Sequence, residues 1–102
     1  MRGAMVVQSG PREGREDDFN DWYSNVHVPE VLSVDGFVGA RRFRALDGDH
    51  YLTVYELEAD DITVPVAEFR DRSAAGETTR SDSLRTDPPP VVTLYELVED
   101  LG

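Results

Sequence analysis

The chain has no cysteine and no lysine, only two histidines, one tryptophan, and no apolar run longer than a few residues. The missing cysteine removes disulfides, thiolate nucleophiles and Cys-based metal sites, and makes a reducing, cytoplasmic location the expectation. The short apolar stretch Met5 to Val7 is too brief for a signal-peptide core or a membrane span, so neither export nor insertion is expected. All ten basic residues are arginine and stand against 21 acidic ones, giving a formal charge of −11 that repels nucleic acid and anionic membranes. His27 and His50 lie far apart in sequence, and the carboxylates at 16–18, 58–61 and 99–100 read as caps and solvated ends, so no metal site is expected. There is no phosphate-binding glycine loop, nucleophile elbow or dinucleotide fingerprint.

What is present patterns as a single α+β domain over residues 1–102. Gly3 to Gln8 reads as a strand running into the Ser9-Gly10-Pro11 turn. A helix is predicted from Asp17 or Asp18, because Phe19, Trp22, Tyr23 and Val26 fall at i, i+3, i+4 and i+7 on one face. Pro29, which lacks an N–H, predicts a kink or restart just after His27, with the helix over before Gly36. Phe37 to Leu46 and Tyr51 to Glu58 read as strands joined by a tight turn at Asp47-Gly48-Asp49. A second helix follows from Ile62, Val66, Phe69 and Ser73, with Thr63 as its cap and Pro65 in its first turn. The segment from Gly76 to Asp87 reads as an exposed loop and Val91 to Val98 as the last strand.

The order strand, helix, strand, strand, helix, strand packs most simply as a ferredoxin-like βαββαβ fold, a four-stranded antiparallel sheet with both helices on one face. The other face must then be polar or covered. Tyr51, Thr53, Tyr55 and Leu57 alternate with Leu52, Val54 and Glu56, and the last strand alternates likewise, so both faces carry large apolar groups. Pairing of two sheets into a homodimeric α+β barrel is the expectation.

His27, four residues after Tyr23, is the one candidate for acid/base chemistry, with an ordinary pKa near neutrality. Its structural alternative is to cap a carbonyl freed by Pro29. Trp22 and Tyr23 either line a pocket for a flat apolar ligand or are plain core. Tyr51 and Tyr55 offer hydroxyls to that pocket or meet a partner chain, the second role being the one expected. Among Arg41, Arg42 and Arg44, one can bind a substrate carboxylate or stabilise an enolate, against a default of pairing with Glu56 or another acid. Alternation separates Arg41 from Arg42 and Arg44 without saying which side meets the helices. His50, beside the turn, is expected to be exposed.

The motif from Asp18 to Leu57, with Trp22-Tyr23, His27-Val28-Pro29, Gly36-Phe37, Arg42-Phe43 and the Tyr-Glu-Leu strands, resembles the EthD-like branch of the dimeric α+β-barrel superfamily. The resemblance implies a small cofactor-independent enzyme acting on an aromatic or polyketide-like carbonyl compound, as cyclase, isomerase or dehydratase. His27 would be its acid/base, Tyr23 its assistant, and Trp22, Arg42, Tyr51 and Tyr55 its substrate contacts. Two other functions fit similar barrels: a non-catalytic module that binds a small hydrophobic ligand or only dimerises, and a cofactor-free monooxygenase. Haem would need an axial ligand and a roomy pocket, and neither histidine stands out for it, so no cofactor is expected.

Overall fold

The computed structural model describes every residue from Met1 to Gly102. Strands β1 (Arg2–Ser9), β2 (Phe37–Arg44), β3 (Tyr51–Glu58) and β4 (Val91–Glu96) form one antiparallel sheet in the order β2-β3-β1-β4. Helices α1 (Glu16–Trp22), α2 (Val28–Leu32) and α3 (Thr63–Ala74) pack on one face of it. This is the ferredoxin-like α+β arrangement that the sequence predicts. No helix is long and apolar enough to cross a membrane.

The first helix begins at Glu16, slightly earlier than expected, with Glu16, Asp17 and Asp18 filling its first turn, where carboxylates meet the positive end of the helix dipole. The break expected at Pro29 is instead a π-helical turn, Tyr23–His27, that carries the helix through without a restart. The Val28 N–H reaches back five residues to the Tyr23 carbonyl, and Pro29 then falls in the first turn of α2, where a missing donor costs nothing. Helix α3 starts where predicted, but Thr63 does not cap it. The Asp61 carboxylate does, taking the Thr63 N–H at 2.9 Å and its hydroxyl at 2.6 Å, and these bonds hold its pKa below the usual carboxylate value.

On the helix side of the sheet, Met5, Val7, Tyr55 and Leu57 close around Val31, Val34, Phe37, Ile62 and Val66, while Phe19, Tyr23 and Tyr51 form a second cluster. Gly36, at φ +104, lets the chain pass Pro65 where any Cβ would collide with that ring. A bulge in β2 between Phe37 and Gly39 resets the alternation, so that Phe37, Ala40, Arg42 and Arg44 all sit on the helix side. The opposite face is open: Phe43 is 52 %, Tyr95 54 % and Val91 56 % exposed, beside half-buried Leu52 and Val54.

Both late strands end sooner than the sequence suggested, β2 at Arg44 and β4 at Glu96. The segment from Gly76 to Asp87 is not simply an exposed loop. Ser83 is fully buried, Arg12 donates its N–H to the Ser83 carbonyl at 2.8 Å, and Arg85 donates its N–H to that of Gly10 at 2.9 Å. The loop thereby closes over one edge of the helix layer.

Candidate functional site

The π turn sets the site. In an α-helix, residues five apart point in clearly different directions, but a turn one residue wider brings i and i+5 together. Trp22 and His27 accordingly stack, with ring centres 4.6 Å apart and planes 21° from parallel. The Tyr23 ring meets the imidazole edge-on at 4.9 Å, and Phe69 of α3 does so at 5.8 Å. His27 therefore sits in an aromatic box.

That box opens on a cavity of about 220 Å³ between the helices and strands β1 and β4, bordered by Val7, Val66, Phe69, Leu84 and Val92 besides the three aromatic residues of the turn. It is smaller than the ~300–1,000 Å³ typical of drug-sized ligand pockets, and beside it under the closing loop lies an outer chamber of about 350 Å³, with Trp22, His27 and Leu84 on the lining of both. The loop is pinned there: the Trp22 indole donates to the Thr79 carbonyl at 3.0 Å, and the Glu30 carboxylate accepts the Thr79 N–H at 3.0 and 3.1 Å.

His27 caps no freed carbonyl, contrary to the structural alternative: its environment consists of rings, and no hydrogen bond contributes to its protonation equilibrium. Nor is its pKa near neutral. Burial, and secondarily the positive charge of Arg42, push it down to about 4, so the imidazole is uncharged at pH 7.

The other predicted site residues lie behind Tyr23, away from the cavity. Arg42 is on the helix side of β2, its guanidinium carbon 4.6 Å from the Tyr23 ring centre, 5.4 Å from Tyr51 and 5.6 Å from Phe19. It pairs with no acid. It donates to Asn20 at 2.9 Å and Ser24 at 3.1 Å, its Nε is buried without a partner, and burial lowers its pKa from the ordinary arginine value. Asn20 donates on to the Tyr51 hydroxyl at 3.2 Å, which donates to Glu16 at 2.7 Å, so the nearest acid is reached through two neutral side chains. Arg44, 3.9 Å from Glu16, stands at the far end of the same chain.

Tyr51 and Tyr55 face the helices, so the expectation that they meet a partner chain across the open face is overturned: Tyr55 is 0 % exposed and Tyr51 7 %. The bulge and the alternation of β3 together put them inside. The Tyr55 hydroxyl has no partner at hydrogen-bonding geometry; burial, reinforced by the neighbouring Tyr23 phenol, drives its pKa far above the usual phenol value and keeps it protonated. His50 is half-buried rather than fully exposed and lies 3.7 Å from Asp49.

Trp22, Tyr23 and His27 are thus brought together on one cavity; Arg42, Tyr51 and Tyr55 form a separate network behind it. Sequence reasoning missed Ser9, Arg70, Leu84 and Val92 of the cavity and Arg12 and Arg80 of the outer chamber. Val66 and Phe69, already on the inner face of the second predicted helix, carried a usable signal. No three His, Cys, Asp or Glu side chains converge as a metal site would require.

No family model matches the chain, and no curated protein matches it. Solved structures do, and their likeness shows the fold. MhuD, a heme-degrader from Mycobacterium tuberculosis with two hemes bound in its active site, matches at 18 % identity and TM-score 0.68, covering 98 % of this chain and 99 % of that one. SnoaB, a cofactor-independent oxygenase from Streptomyces nogalater, matches at 13 % identity and TM-score 0.66, covering 98 % and 96 %. An ethyl tert-butyl ether degradation (EthD) family protein from Bacillus halodurans matches at 11 % identity and TM-score 0.63, covering 94 % and 99 %. The inner cavity as it stands offers heme no open axial ligand: its one histidine, His27, is flanked by three aromatic rings, and its volume is about 220 Å³.

Proposed function

We propose that this chain is a cofactor-free monooxygenase acting on a small, flat, electron-rich aromatic compound bound beside His27. The observation that carries the reading is the cavity itself, apolar on most sides, with no carboxylate on its lining and an uncharged imidazole in one wall. The fold it shares with a cofactor-independent oxygenase supports the reading by analogy only.

In such a reaction a ring-flanked CH₂ loses a proton, and the carbanion gives its electrons to O₂. Reprotonation leaves a carbon-bound hydroperoxide, and loss of water leaves a carbonyl, so that CH₂ and O₂ become C=O and H₂O. The chain's contribution is to exclude water, to hold the flat substrate against Trp22 and Tyr23, and to offer the His27 imidazole as proton acceptor. An imidazole with a pKa of about 4 is a weak base when the site is empty. A developing carbanion beside it favours the imidazolium, so basicity rises where the charge forms.

The cyclase, isomerase or dehydratase reading asks the same imidazole for the same proton, and what separates it from the oxygenase reading is whether oxygen is consumed. The motif Trp22-Tyr23 with His27-Val28-Pro29 supports placing the chain on the EthD-like branch, and the apolar groups on the open face support a homodimer built through it.

The test is oxygen uptake with a tricyclic anthrone. One O₂ consumed per carbonyl formed, with kcat/KM falling about 100-fold or more in His27→Phe, is the expected result. Isomerised or cyclised product without oxygen uptake would restore the cyclase reading, and saturable binding without turnover would leave a ligand-binding module.

A further inference from the structure

The chain carries 21 acidic residues against ten arginines, yet the outer chamber has the reverse character. Arg12 and Arg80 line it together with the hydroxyls of Ser73, Thr78, Ser81 and Thr86, and no carboxylate does. Two other hollows follow the overall composition: the one at the sheet edge is lined by Glu56, Glu58 and Glu96 beside Arg2, and the one below α3 by Asp35 and Glu68 beside Arg72. Glu30 and Asp82 are engaged elsewhere, by the Thr79 N–H and by Arg15 at 2.9 Å, and Glu13, Glu77 and Asp87, next in sequence to lining residues, are not on the lining. Neither Arg12 nor Arg80 has an acid within salt-bridge distance, and the only side-chain bond of Arg12 is a long one, 3.4 Å, to the Thr86 hydroxyl.

We propose that this outer chamber is an anion subsite, and that the ligand is an aromatic acid whose flat body enters the inner cavity while its carboxylate reaches Arg12 and Arg80. The proposal rests on the reading above that a ligand occupies the cavity beside His27, and it adds the ligand's charge. The two chambers adjoin, with Trp22, His27 and Leu84 on the lining of both, and a molecule passing these three side chains would touch the apolar wall and the cationic mouth at once. A guanidinium binds carboxylate through paired N–H donors, and hydroxyls can take up the remaining acceptor positions. Because no protein carboxylate competes in the chamber, the arginines need not release a partner when the ligand arrives. Because the chain as a whole repels anions, the preference for an acid must come from this local field. The pinning of Thr79 by Trp22 and Glu30 fixes the backbone beside Arg80, whose exposed side chain makes no bond of its own and is free to meet a ligand.

The single tryptophan, bordering both chambers, reports occupancy. The experiment titrates 2-naphthoate and its neutral isostere 2-naphthamide into the protein by Trp22 fluorescence and calorimetry. It compares wild type, Arg12→Ala/Arg80→Ala, and Arg2→Ala/Arg44→Ala, which changes net charge equally away from the chambers. Naphthoate is expected to bind wild type and the charge control about ten-fold more tightly than the amide. In Arg12→Ala/Arg80→Ala the two should bind within about two-fold of each other, with the amide's affinity unchanged. Equal binding of acid and amide to wild type would overturn the anion subsite while leaving the cavity reading standing. A preference for the acid that survives in Arg12→Ala/Arg80→Ala would overturn it too, by locating the charge recognition elsewhere. Failure of both compounds to bind would remove the cavity reading along with it.

Discussion

The two faces of the sheet are chemically alike in sequence and opposite in condition. On the helix side, Tyr55 and Leu57 are 0 % and 1 % exposed; on the other, Phe43 and Tyr95 keep about half their surface in water at 52 % and 54 %. Adjacent residues of a single strand therefore belong to different energetic regimes. What separates them is coverage: the helices supply Phe19, Tyr23, Val31 and Val66 to one face, while nothing within the chain packs over the other. Apolar pattern identifies a surface that needs a neighbour, and only topology determines whether the neighbour is the chain's own helix or a second molecule.

The sharpest way to break this comparison is to alter one residue on each side. Leu57→Ala, on the covered face, should cost about 2–5 kcal/mol in urea unfolding, the range for truncating a buried leucine. Phe43→Glu should cost about 0.5 kcal/mol or less of the single chain's stability, while dissociating the proposed homodimer into monomers in sedimentation. Equal destabilisation by both, independent of protein concentration, would mean that the open face has no partner.

The second prediction concerns the covered face alone. The folded pKa of His27 lies below its unfolded value of 6.5, so the unfolded chain binds the extra proton first as pH falls. The stability tied to the neutral imidazole is fully present above about pH 6.5 and is lost progressively down to about pH 4, amounting to roughly 3 kcal/mol. In His27→Phe that part of the pH slope should vanish, and a slope unchanged by the substitution would refute the assignment. The smallest effect is expected at Tyr55. Its hydroxyl lies beside the Tyr23 phenol without a bond of good geometry, so Tyr55→Phe should be neutral or stabilising by up to about 1 kcal/mol, measured by thermal unfolding. A clear destabilisation would mean that the phenol makes a bond absent from the geometry described.

The local rules of sequence account for much of this architecture. Asp47-Gly48 marks a turn because Gly48 must take a positive φ, here +77, and the i, i+3, i+4 spacing of Phe19, Trp22 and Tyr23 marks a helix face. Side assignments were beyond the same rules wherever the backbone departs from its ideal period. Strict alternation would part Phe37 from Ala40 and Arg42, and the bulge unites them. Pro29 announced an irregularity without revealing that the helix would widen ahead of it rather than break. The aromatic half of the site, Trp22, Tyr23 and His27, could be read because it is one short segment. Arg12 and Arg80 could not, because they are polar residues in aperiodic stretches that meet only through contacts to Ser83 and Thr79.

The widened turn at Tyr23–His27 also constrains how this sequence can drift. It holds one residue more than an α-helix would need there, and on either side of it stand Phe19 and Val31, both completely buried. Were the turn to tighten to the ordinary pitch at constant length, Trp22 and His27 would part and everything downstream would rotate by about 100°, carrying Val31 out of the core, whereas deleting the one extra residue would leave Phe19 and Val31 in phase. Site and scaffold share one phase along this helix, so descendants of this sequence can shed the extra residue and keep the core in register, but cannot narrow the turn at constant length without losing both together.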